Sequence, residues 1–72
     1  MTKKQAQIIF ALAHSNMNIS ETARRLFYNR MTLIYHIKKI KEATRLDPLD
    51  FFDLGKLYSI AWAILIVDDE LE

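Results

Sequence analysis

Residues 18–42, NISETARRLFYNRMTLIYHIKKIKE, decide the fold. Asn18 has Glu21 three places on, the spacing of a capping box, so a helix starts at Ile19. Ala23, Leu26 and Phe27 give that helix an inward side, and it ends near Leu26 after about two turns. Tyr28 and Asn29 break the pattern, and Asn29 can cap the next helix. From Arg30 to about Ala43, Leu33, Ile37 and Ile40 fall at i, i+4 and i+7, one face of an α-helix. Met31, Tyr35, Lys38 and Glu42 take the opposite face, flanked by Thr32, Ile34, Lys39 and Lys41. A short helix, a tight turn and a longer basic helix compose a helix-turn-helix. Ala23 is small where the two helices must approach, and Leu33 and Ile37 fill the angle between them.

Working outward, Thr2 and Gln5 stand at capping-box spacing and open a helix over Lys3–His14. Ala6, Ile9, Leu12 and Ala13 form its apolar stripe, with Ile8 and Phe10 beside it. Ser15, Asn16 and Met17 connect it to Asn18. On the other side, residues 45–49 make a linker that holds the only proline. Asp50 caps a last helix from Phe51 to about Val67, and Asp53 puts negative charge near its positive end. Gly55 inside that helix costs about 1 kcal/mol against alanine unless another backbone packs on it. The expected fold class is all-α, a three-helix helix-turn-helix core plus a fourth carboxy-terminal helix, within a single domain over residues 1–72.

Composition narrows the function classes. There is no cysteine, so disulfides and thiolate zinc sites are excluded. The longest apolar run, Ile60 to Val67, is far short of the about 20 residues of a membrane span, and no stretch has the form of a signal peptide. The chain is expected to be soluble and cytoplasmic, with no membrane partner. A net charge of +1 conceals strong segregation. Residues 20–46 hold seven basic and two acidic side chains, whereas residues 47–72 hold Lys56 and seven acids. A basic middle beside an acidic end suits a polyanionic partner on one face.

The candidate contacts follow from that charge. Asn29, Arg30 and Thr32 cluster at the amino end of the third helix, where unpaired amides and the helix dipole favour a phosphate. Tyr35 can reach a base edge or a phosphate. Met31 and Ile34 share the exposed end, and Ile34 can meet a thymine methyl. Lys38 and Lys39 add attraction to the backbone. Double-stranded DNA is the expected partner. His36, beside the Leu33 stripe, is read as a half-buried structural histidine. With His14 it lacks a third ligand, and Asp47, Asp50 and Asp53 are explained by capping, so no metal and no cofactor is expected. No nucleophile–base pair or phosphate loop is visible, so the chain is not expected to be an enzyme.

The stretch Ser20-Glu-Thr-Ala-Arg-Arg-Leu-Phe27, followed by Arg30-x-Thr-Leu-x-Tyr35, resembles the carboxy-terminal helix-turn-helix of PucR/CdaR-type bacterial transcription regulators. The resemblance runs from the first helix through Leu46-Asp47 to the last, and its shorter part is shared with Fis-like domains. It implies a DNA-binding domain of a bacterial transcriptional regulator, with the recognition helix, residues 30–43, in the major groove. Contacts by Arg30, Thr32 and Tyr35 carry over by matching residues. The family usually has basic residues where Ile34 and His36 stand, often asparagine at Met31, and often glycine at Met17 and Arg45. Helix-turn-helix turns often have glycine where Phe27 stands. In the family this module ends a longer regulator with an amino-terminal sensing region. The chain is therefore expected to be an excised domain, with Leu71-Glu72 fitting a cloning scar.

The last helix carries a separate signal. It is apolar on every side, more than three short helices can cover. Tyr58, Trp62, Ile64 and Leu65 are expected to form a homodimer contact, or to meet the missing amino-terminal region. The alternative function is a protein-interaction module that uses this helix, with the helix-turn-helix as scaffold.

Overall fold

Local chemistry sets where each helix begins. The computed structural model describes residues 1–71, with side chains to Val67. These residues form α1 (Lys3–His14), α2 (Ile19–Arg25), α3 (Arg30–Thr44) and α4 (Phe51–Leu71), with no strand among them. Thr2 Oγ1 accepts from the Gln5 amide at 3.1 Å and Gln5 Oε1 accepts from the Thr2 amide at 3.0 Å, a complete capping box. Asn18 accepts from the Glu21 amide at 2.9 Å and Asn29 from the Thr32 amide at 2.8 Å. Asp50 accepts from the Asp53 amide at 2.9 Å and so caps α4. The Asp53 carboxylate reaches back to the Asp47 amide at 3.0 Å, which ties the linker to the first turn of α4.

The helices end less predictably than they start. α2 stops at Arg25, with Leu26 as its C-cap, and α3 runs one residue further than expected, to Thr44. α4 continues to Leu71, because neither glycine nor proline follows Val67 to stop it. Glu72, read above as part of a cloning scar, lies outside the described residues.

One core joins all four helices. Ala6, Ile8, Ile9 and Leu12 of α1 meet Ala23 of α2, Leu33, Ile37 and Ile40 of α3, and Leu54, Leu57 and Ala61 of α4. α1 packs on each of the other three helices, most extensively on α4. A helix with neighbours on several sides needs a wide apolar stripe, which is why Ile8 is fully buried rather than at the margin. The Cα radius of gyration is 11.4 Å, close to the roughly 11 Å of a folded chain of this length. α4 therefore lies along the core instead of projecting from it.

Phe27 corrects the sequence reading. It does not face inward but stands 95% exposed. The reason is its backbone. Phe27 has φ 58°, in the left-handed region, as do Asn16, Met17 and Arg45. The Tyr28 amide bonds back to the Ala23 carbonyl at 2.9 Å, and the Met17 amide to the Leu12 carbonyl at 2.9 Å. These are the long closing bonds of helices that end through a left-handed residue. α3 also ends through a left-handed residue, Arg45, but closes with the ordinary bond from the Arg45 amide to the Lys41 carbonyl at 2.8 Å; none of the three uses glycine.

On α4, Leu54, Leu57 and Ala61 are buried, and Tyr58, Ile64 and Leu65 pack partly buried against the same core. The outward side carries Phe51, Phe52, Ile60, Trp62 and Val67, with Trp62 52% exposed. Of the four residues expected at a dimer contact, Trp62 is thus the one most available to a partner. No helix among the described residues is long and apolar enough to cross a membrane.

Candidate nucleic-acid interface

α3 presents its polar side to solvent because Leu33, Ile37 and Ile40 hold the other side in the core. α2 braces its start. Ala23, only 5% exposed, lets α2 approach α3 closely, and the Thr22 hydroxyl, fully buried, donates to the Asn18 carbonyl at 2.7 Å. Arg30 Nη1 donates to Ser20 Oγ at 3.2 Å, so the first residue of α3 is tied to the first turn of α2. Ser20 is not among the contact residues expected from the sequence. Its partner is ten residues away, and only the turn geometry joins them.

The expected contact residues fall as follows. Asn29, Arg30, Met31, Tyr35, Lys38 and Lys39 are exposed on one continuous surface of α3, whereas Thr32 and Ile34 are half-buried at its edges. Met31 is 73% and Tyr35 57% exposed, so both project fully beyond the helix body. The Thr32 amide is not free, since Asn29 Oδ1 occupies it. The amides open to an anion at this end are those of Arg30 and Met31, which donate to no partner among the described residues. Asn29 has its oxygen committed to the cap, which leaves its amide N–H groups as donors. Lys39 Nζ lies 5.5 Å from the Tyr35 ring centroid and 3.8 Å from Glu42. Both pairs are exposed, so they steer the lysine more than they stabilise the fold.

Charge on α2 is partly spent within the helix. Glu21 pairs with Arg24 and, at 3.7 Å, with Arg25. Lys41 pairs with Asp47 at 3.6 Å on the linker. Arg30 and Lys38, by contrast, make no ion pair among the described residues. His36 is half-buried beside Tyr28, with ring centroids 5.4 Å apart and planes at 28°. That matches the structural reading of this histidine.

A short helix braced on a longer basic one, with the amino end of the second open and its polar side bare, defines a helix-turn-helix domain. The family model described as the PucR C-terminal helix-turn-helix domain matches residues 6–63. The chain belongs to this family of DNA-binding transcription regulators. No curated protein and no solved structure matches it.

Proposed function

We propose that this chain binds double-stranded DNA as a homodimer, with α3 in the major groove, and so controls transcription in the bacterial cytoplasm. The observation that carries the reading is the single exposed surface of Asn29, Arg30, Met31, Tyr35, Lys38 and Lys39 on α3. An α-helix fits the major groove, and this surface offers amide, guanidinium and ammonium donors to phosphates. Tyr35 and Met31 are the side chains placed to meet base edges, with Ile34 and Thr32 at the margins. α4, in the acidic part of the chain, packs on α1 and not on α3 among the described residues, which leaves the α3 surface to phosphate. The outward apolar side of α4, which includes Trp62, supports the homodimer.

Salt-dependent titration of fragmented genomic DNA against the wild type and Arg30→Ala tests the reading. Binding that weakens with salt, and weakens further in the variant, is expected. Absence of wild-type binding at low salt would overturn it. A second reading, a protein-interaction module, is favoured by the exposed Phe51, Phe52 and Trp62. It would replace the first if Arg30→Ala with Tyr35→Ala spared every partner interaction.

A further inference from the structure

A chain of ring and cation contacts leads from α1 onto the α3 surface described above. Lys4 Nζ lies 5.8 Å from the Tyr28 ring centroid. Tyr28 stacks on His36 at 5.4 Å. His36 meets the edge of Tyr35 at 5.5 Å and 71°, and Tyr35 carries Lys39 at 5.5 Å. Tyr35 belongs to the exposed surface of α3, so the strip is continuous with it. Lys4 and Lys39 are exposed at its two ends, and Tyr28 and His36 are half-buried between them.

The strip lies on a defined flank. At 3.6 residues per turn, Arg30 and Ile34 fall on one side of the Met31–Tyr35–Lys38 face and Thr32 and His36 on the other. The Arg30–Ser20 bond marks the first side, toward α2. The Tyr28–His36 stack marks the second, toward the start of α1. A helix with its side chains is about 10–12 Å across, and the major groove is about 12 Å wide. A helix seated there has a phosphate backbone along each flank, one from each strand.

We propose that Lys4 and Tyr28 form a second phosphate contact, on the strand opposite the one held by Arg30 and Ser20. The inference rests on α3 being the helix that enters the groove. Lys4 supplies a charge and three donors, and the Tyr28 ring holds it in place. The Tyr28 hydroxyl makes no hydrogen bond among the described residues and supplies another donor. His36 is the spacer that keeps Tyr28 aligned with α3, and needs no contact of its own.

Phosphate contacts do not read sequence, so a mixed-sequence duplex two helical turns long serves as the probe. Fluorescence anisotropy over a salt series compares the wild type with Lys4→Ala, Tyr28→Phe, Arg30→Ala and Lys56→Ala, each checked for helicity by circular dichroism. Lys4→Ala is expected to bind about tenfold more weakly at low salt, with the slope of log affinity against log salt reduced by about 1. Tyr28→Phe, which keeps the ring, is expected to lose about threefold. Lys56→Ala, on α4, is expected to match the wild type. If Lys4→Ala matches the wild type in affinity and slope while Arg30→Ala is weakened, the second contact is overturned and the α3 reading stands. If the wild type shows no salt-dependent binding, both fall.

Discussion

The Tyr28 amide donates to the Ala23 carbonyl at 2.9 Å, a bond that spans the whole helix-turn-helix turn. It holds Tyr28 and Asn29 where the next helix must start. The residue inside the loop, Phe27, must then take a left-handed backbone and leave the core. A bulky residue in that conformation costs about 1–2 kcal/mol, and Phe27 gains no packing in return.

Phe27→Gly is therefore expected to stabilise the chain. Glycine removes the steric cost and returns part of it as greater freedom in the unfolded chain, leaving a gain of about 0.5–1 kcal/mol. For a domain of this size that is a rise in Tm of a few degrees. Thermal melting by circular dichroism measures it. A lower Tm would mean that the exposed ring has an unrecognised partner.

Asn29 combines capping with an open amide group, and one substitution separates the two. Asn29→Asp keeps the acceptor for the Thr32 amide and adds negative charge at the helix start. Stability should hold or rise by about 0.3–1 kcal/mol. Affinity for a DNA duplex should fall, because the charge meets phosphate. Asn29→Ala should instead lose about 1 kcal/mol of stability. Urea melts and duplex titrations of both variants read the contrast, and equal DNA affinity for Asn29→Asp and wild type would remove Asn29 from the interface.

Gly55 lies in mid-helix with nothing within 4 Å of the position a Cβ would occupy. No close backbone approach among the described residues requires it. Gly55→Ala is expected to add about 1 kcal/mol, seen as a shifted urea midpoint at unchanged slope. A loss of stability that grows with protein concentration would place Gly55 in a contact between copies.

Trp62 tests the proposed homodimer. Replacing it with glutamate puts a charge on the outward side of α4 while Leu57 and Ala61, both fully buried, stay in the core. Helicity should be retained and self-association lost, as read by sedimentation over a concentration range. Trp62→Glu sedimenting like the wild type at all concentrations would rule out this face as the dimer contact. Leu57→Ala is the counterpart. It should cost about 2–5 kcal/mol, enough to unfold much of so small a domain.

The sequence by itself determined where the helices begin and which family they form. Thr2, Asn18, Asn29 and Asp50 each close a first turn with an amide three residues on, and a contact that local needs no knowledge of the rest of the chain. The faces of α1 and α3 were legible for a similar reason, since Leu33, Ile37 and Ile40 repeat at the helical period. Only the tertiary structure decided the rest. Phe27 looked like a core residue because hydrophobicity carries no information about the sign of φ, and the bond from Tyr28 to Ala23 set that sign. α4 is apolar on every side, so its pattern points in no direction. Packing against α1 chose Leu57 and Ala61 for the core and left Trp62 outside. The Arg30–Ser20 bond and the Lys4–Tyr28 and Tyr28–His36 contacts likewise join residues that are close only once the helices have packed.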